Sequence, residues 1–279
     1  MADIYQNIVA IQMNSLPLVE DNLVFVEQQL KLLPPQRPCL VVLPKCFACF
    51  GGGDKLMLDI AEDLHNGPIQ YKLKQLAKQY EIWLVAGSLP LLCKVENKFT
   101  ASCLLINDHG KIVEEYQKIH LFDAQVADNT GTYLESRYTQ AGNTLTVTDT
   151  PFGNLGLAVC YDIGFAGMFV AMNHIAQIDV LALPAAFTQQ TGQAHWHALL
   201  KARAIENQCY VVAANQTGKH SNKRQTYGHS CIISPWGEKL VELPHDTGII
   251  HASIDHQLLA QINSKMPVYQ HNKFRSHFV

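Results

Sequence analysis

A chain of 279 residues, 48% hydrophobic and 16% charged, is long enough to bury a large core and too apolar for a disordered or low-complexity segment. Its 21 Lys plus Arg against 24 Asp plus Glu leave a net charge of -3. That balance gives no electrostatic reason to expect nucleic acid or a membrane surface, so small molecules and protein partners remain.

In chain order, Met1-Ala-Asp-Ile-Tyr-Gln carries an acid and no Lys or Arg, unlike the basic start of a secretory signal. Ile8–Met13 reads as a strand. Val19–Leu33 has Leu23, Val26, Leu30 and Leu33 at helical spacing and stops at Pro34-Pro35. Leu40–Leu43 is a buried strand ending at Pro44, followed by a Gly51-Gly-Gly53 loop and a helix Pro68–Tyr80 with proline in its first turn. Ile82–Gly87 and Ala101–Asn107 read as strands, the second closing on Asn107-Asp-His-Gly110. Leu155–Cys160 (strand), Phe165–Ala176 (helix) and Asp179–Leu183 (strand ending at Pro184) repeat the strand, helix, strand, Leu-Pro order of the first half, which hints at a pseudo-twofold core. The helix His195–Gln208 and strands at Tyr210–Asn215, Ser230–Ser234, Lys239–Leu243 and Gly248–Ile254 complete an α/β pattern. No linker interrupts it, so one domain is expected over 1–279, with its core at about 6–256. The longest apolar run, Val180–Phe187, is far short of the roughly 18 residues of a membrane span. Eight irregularly spaced cysteines read as reduced thiols, and a cytoplasmic location is expected.

Cys160 ends an apolar strand just where the chain should turn into a helix. A thiol there can meet backbone N–H groups that lower its pKa and hold an oxyanion. The alternative is a buried cysteine acting as a small hydrophobe. Cys46-Phe-Ala-Cys49 lacks the second pair a zinc site needs. His195-Trp-His197 is a poor metal pair, because residues two apart on a helix diverge. No metal and no cofactor are therefore expected. The loop Lys219–Arg224 reads as solvated, with Arg224 available to an anionic substrate.

The segments Leu157-Ala-Val-Cys160-Tyr-Asp162, Tyr116-Gln-Lys118-Ile-His120-Leu-Phe-Asp123 and Leu43-Pro44 resemble, in order and spacing, the nitrilase (carbon–nitrogen hydrolase) superfamily. In the C-terminal half, Gly192–Trp196, Leu199–Glu206, Gln208–Ala214, Tyr227–Ser230, Pro235–Gly237 and Pro267–His271 are most similar to its deaminated glutathione amidase branch. The resemblance implies an αββα sandwich that homodimerises into an αββα-αββα assembly and a Glu-Lys-Cys triad that hydrolyses small carboxylate-bearing amides through a thioester. By the same resemblance Cys160 matches the nucleophile and Lys118 the lysine that stabilises the oxyanion. Glu135 matches a further glutamate that positions substrate and lysine, and Tyr161, with Phe187 and His195, belongs to the oxyanion and substrate-binding set.

Two positions depart from the family pattern. Lys45 stands where the family has the glutamate of Leu-Pro-Glu, and a protonated lysine cannot act as the general base. Lys45 and Lys118 are expected to depress each other's pKa and to hold Cys160 as a thiolate that reacts ahead of the other seven cysteines. Gly164 stands where family members commonly have arginine. The expectation is an amidase with weakened turnover; the alternative is a pseudoenzyme that binds a ligand or protein partner without hydrolysing it.

Overall fold

The computed structural model describes residues 6–128 and 130–279, apart from the side chain of Asp54. The first half runs β1 (Asn7–Gln12), α1 (Val19–Leu30), β2 (Cys39–Val42), α2 (Asp54–Asp59), α3 (Pro68–Gln79), β3 (Trp83–Leu92), β4 (Phe99–Ile106) and β5 (Ile112–Gln117). A hairpin of β6 (Asp123–Gln125) and β7 (Thr132–Leu134), then β8 (Thr139–Gln140), leads into the second half. That half runs β9 (Val147–Thr150), β10 (Gly153–Leu157), α4 (Ala166–Ile175), β11 (Val180–Ala185), α5 (Gln189–Asn207) and β12 (Tyr210–Asn215). The hairpin β13 (Thr217–Lys219) and β14 (Gln225–Tyr227), strands β15 (Ser230–Ile233), β16 (Lys239–Leu243) and β17 (Gly248–Ser253), and helices α6 (His256–Lys265) and α7 (Val268–His271) follow.

Two sheets result, one ordered β17-β1-β2-β3-β4-β5 with β8 beside β4, the other β16-β15-β12-β11-β10-β9. Both share one pattern of strand directions, although the outer antiparallel strand comes from the far end of the chain in the first sheet and from the preceding strand in the second. In the first, β17 pairs antiparallel with β1, β1-β2-β3 run parallel across α1 and α3, and β4 and β5 return antiparallel. In the second, β9 pairs antiparallel with β10, β10-β11-β12 run parallel across α4 and α5, and β15 and β16 return antiparallel. The repeated strand, helix, strand, Leu-Pro of the sequence is this pseudo-twofold.

Strand alternation sets the layers. Ile8, Ala10, Leu40 and Val42 join the core shared with the second sheet, whereas Val9, Ile11, Val41 and Leu43 join Val26 and Leu30 of α1 and Leu73 and Leu76 of α3. With α4 and α5 packed on the second sheet, the order of layers is αββα.

Element ends differ from the sequence reading where tertiary contacts override local signals. Helix α1 stops at Leu30 rather than Leu33; the N–H groups of Leu32 and Leu33 bond three residues back, to Gln29 and Leu30, as the chain tightens before the proline pair. Helix α5 starts at Gln189, six residues before His195. Its N-cap Thr188 accepts from the Thr191 N–H at 3.1 Å, and Gly192 is tolerated because a Cβ there would collide with the Tyr227 ring. Strand β3 runs past Gly87 through Pro90 to Leu92, and β11 runs through Pro184 instead of stopping before it. Pairing with β2 ends at Val85 and pairing with β10 ends at Ala182, so each proline has a strand neighbour on one side only.

Candidate active site

Three chain reversals, after β2, β5 and β10, converge on one site. Lys45 follows β2 through Leu43, whose N–H bonds the Val85 carbonyl at 3.0 Å. The Pro44 carbonyl then lies so near Gly87 that a Cβ there would sit 2.0 Å from its oxygen. Cys46, in the left-handed region at φ 57°, continues the turn, with its N–H on Ser88 Oγ at 3.1 Å. Gln216 Nε2 holds the Lys45 carbonyl at 3.1 Å. Lys118 follows β5, and the β6–β7 hairpin folds the chain back so that Glu135, 17 residues on, meets it; Phe122 N–H donates to Glu135 Oε2 at 2.7 Å.

Cys160 lies beyond β10, not at its end. At φ 56° it opens a 3₁₀ turn, Cys160–Gly164, a strained backbone that persists only if its surroundings fix it. Asp162 does much of this fixing. Wholly buried, it accepts from Tyr116 Oη at 2.7 Å, from Val159 N–H at 2.9 Å and from His120 N–H at 3.0 Å, with His120 Nδ1 at 2.8 Å. His120 in turn stacks on Phe165, centroids 3.7 Å apart. Asp162, Tyr116 and His120 belong to motifs noted in the sequence, but only the fold shows them bracing the Cys160 turn.

One carboxylate organises the charges. Glu135 Oε1 is 2.7 Å from Lys45 Nζ, and Glu135 Oε2 pairs with Lys118, whose ammonium is fully buried. Burial opposes ionisation of Glu135, but Lys118 and Lys45 together hold its carboxyl well below the usual range. Burial also opposes the Lys45 ammonium, yet Glu135, with smaller help from Cys46 and Cys160, raises Lys45 above the ordinary lysine value. The expected mutual depression by two lysines is thus overturned at Lys45, because a carboxylate sits between them. For Cys160, burial pushes the thiol up, and Lys45, Lys118 and the Ala186 backbone N–H pull it back only in part. Cys160 is a thiol at neutral pH, not the standing thiolate expected from the sequence.

Exposure reinforces this. Cys160 is 8% exposed, whereas Cys46 and Cys93 are half-buried. Limiting iodoacetamide at neutral pH should therefore label Cys46 and Cys93 ahead of Cys160, with Cys160 labelling climbing steeply as pH rises. Peptide mapping reads the order, and Cys160 labelled first at neutral pH would show that the thiolate is standing after all.

A cavity of about 260 Å³ is lined by Lys45, Glu135, Cys46, Phe50, Tyr133 and Arg224, among others. The Arg224 guanidinium carbon lies 4.5 Å from the Tyr133 ring centroid and 5.1 Å from that of Phe50, and its Nε is buried without a partner. Tyr161 packs edge-on against Phe122 and Phe165. Phe187 follows Ala186, whose N–H reaches Cys160, and packs on Trp196 with centroids 4.9 Å apart. His195 is not brought to the cluster. Trp196 is the residue buried on that turn of α5, so His195, about 100° around the helix, faces solvent. Nothing obstructs position 164: a Cβ on Gly164 meets no atom within 4 Å.

The fold has known counterparts. A deaminated glutathione amidase from Yersinia enterocolitica is 39% identical over 275 residues, which cover 98% of this chain and 95% of that protein. The crystal structure of the C. elegans NitFhit protein superposes with a TM-score of 0.87 at 35% identity, over 98% of this chain and 66% of that one. That of Saccharomyces cerevisiae Nit3, a member of branch 10 of the nitrilase superfamily, superposes with a TM-score of 0.84 at 26% identity, over 97% of each chain. Residues 8–264 match the carbon–nitrogen hydrolase family model, and the chain belongs to that family.

Proposed function

We propose that this protein is an amidase for small, carboxylate-bearing amides of the deaminated glutathione kind, working through a Cys160 thioester with turnover slowed by Lys45. The observation that carries this reading is the Lys45–Glu135–Lys118 cluster beside Cys160, of which Lys45 and Glu135 line a cavity that also presents Arg224. Attack by Cys160 on an amide carbonyl needs the thiol proton removed, an oxyanion stabilised and the leaving nitrogen protonated. Lys118 supplies fixed positive charge for the oxyanion, and the Lys45 ammonium can protonate the departing nitrogen while the amine so formed takes up the thiol proton, which closes the proton balance of acylation and leaves Lys45 charged again. Neither can take a proton from the deacylating water while charged, and Glu135, held ionised by both lysines, is a weak base. Acylation is therefore slow and deacylation slower.

A single carbon–nitrogen hydrolase unit spanning the chain fits this reading. So does a homodimer, supported by the exposed apolar side chains Ile175, Ile205 and Trp236 near α4 and α5. Eight free cysteines suit a reducing compartment such as the cytoplasm, and no helix among the described residues is long and apolar enough to cross a membrane.

The substrate class is tested by calorimetry. A monoamide with a free carboxylate should bind about tenfold or more tightly than its neutral aliphatic analogue, and Arg224→Met should erase that preference, a loss of the size expected for one charged hydrogen-bond partner. Equal affinities in the unmodified protein would remove the anionic substrate from the reading. The second reading is a ligand-binding pseudoenzyme. It is favoured by the engagement of Glu135 with two lysines, so that this carboxylate is not free to act as a base. It prevails if neither the unmodified protein nor Lys45→Glu forms an adduct or releases ammonia while both bind anionic amides.

A further inference from the structure

Helix α5 carries His197 to a place the sequence did not foresee. His195 is not its partner; His197 Nε2 lies 2.8 Å from Glu242 Oε1 on β16, and His229 Nδ1, from the turn before β15, lies 2.6 Å from the same oxygen. One donor atom from each of the three residues falls within 4.8 Å of the others. The three come from three separate elements, and His229 is held by its surroundings. The His229 carbonyl accepts from Trp196 Nε1 at 2.8 Å, and its ring stacks on Tyr227 with centroids 4.2 Å apart. A fourth imidazole, His245, lies edge-on to His229 at 4.9 Å.

We propose that His197, His229 and Glu242 form a binding site for a zinc-class divalent cation, one that staples α5 to the β15–β16 end of the second sheet. Two imidazoles and a carboxylate are a donor set suited to zinc, whose bonds of about 2.0–2.2 Å in a tetrahedron place ligand atoms about 3.3 Å apart. The two contacts to Glu242 Oε1 need to open by only roughly 0.5 and 0.7 Å to admit the ion. His197, with a side chain 39% exposed, has the freedom to move and leaves water a path to a fourth position. The exchange balances. Each neutral imidazole that now points an N–H at Glu242 moves that proton to its other ring nitrogen and turns a lone pair to the metal, with no net proton change, whereas a protonated imidazole must release one proton. Lys239, paired with the other oxygen of Glu242, competes with the ion for the carboxylate. The cluster shares no residue with the amide site, so it stands or falls independently of the amidase reading.

Cobalt(II) sulfate, added to chelator-treated full-length protein and followed by visible absorption, tests the site, with zinc sulfate as competitor. Expected are one equivalent of bound cobalt with intense tetrahedral bands, no sulfur-to-cobalt charge-transfer band, and displacement by zinc. Affinity should fall at least about tenfold in His197→Ala and Glu242→Gln and should rise in Lys239→Met, a gain that a purely structural hydrogen-bond cluster does not produce. His197→Ala alters a partly exposed position and keeps the test open if Glu242→Gln fails to fold. No saturable binding, retention of the signal in His197→Ala, or a sulfur charge-transfer band showing cysteine ligation would each overturn the proposal.

Discussion

Lys45→Glu should raise steady-state amidase turnover by about 10²–10⁴-fold, the usual contribution of a positioned general base. The geometry favours the change. Glu135 Oε1, now 2.7 Å from Lys45 Nζ, would face a second carboxylate instead. Like charges at that range push the pKa of one carboxyl up, toward the neutral values a general base needs. Lys118 would keep its partner in Glu135 Oε2. Adding Gly164→Arg restores the other family residue at a site with open space around it. Ammonia release from a carboxylate-bearing monoamide is the readout, and a rate unchanged by Lys45→Glu would mean that Lys45 is not what limits the chemistry.

Glu135→Gln should be among the most destabilising single substitutions in the protein. Lys118 is fully buried and Lys45 nearly so, and the change leaves two ammonium groups with no carboxylate between them. Breaking a buried ion pair from one side costs about 3–5 kcal/mol, readable as a lower urea midpoint. The pH dependence has a definite sign. Glu135 is held below its unfolded value of 4.5, so its share of stability is complete above that value and drains away as pH falls below it toward the folded pKa. The stability gap between the unmodified protein and Glu135→Gln should thus be constant near neutrality and shrink in acid. Because Glu135 also pushes the Cys160 thiol up, the variant that remains folded should alkylate faster at Cys160. A cost below about 1 kcal/mol, or a gap that does not close in acid, would show that the three-residue cluster is not tightly coupled.

Much of the fold was legible because the buried parallel strands are short apolar runs and the helices between them keep a regular period. Ile8–Met13, Leu40–Leu43 and Tyr210–Asn215 were found nearly to the residue. The strand β5 was not, since Ile112-Val-Glu-Glu-Tyr-Gln carries two acids and only Ile112 and Tyr116 are buried. The proline within β11 misled for a related reason: local chemistry says stop at Pro184, while one-sided pairing allows the strand to continue. At the site, Cys160, Lys118, Glu135 and the anomaly at Lys45 were readable from motif and spacing. Their charge states were not. Spacing cannot tell that Glu135 lies between the two lysines, a placement that reverses the expected direction for Lys45, or that burial, with a smaller push from Glu135, raises the Cys160 thiol. His195 and His197 show the same limit, since helix phase turns one to solvent while β16 supplies the other's partner.

The central claim, that Lys45 removes the base needed to release the acyl group, is tested most directly by intact mass of the unmodified protein during incubation with a carboxylate-bearing monoamide. The Cys160 thiol loses a proton far more readily than water, whose pKa is about 15.7, so acylation tolerates the missing base better than hydrolysis does. The account predicts a thioester adduct on Cys160 that builds up over successive time points while ammonia release slows, with no such adduct in Lys45→Glu. Absence of the adduct together with ammonia release at the rate of Lys45→Glu would contradict it.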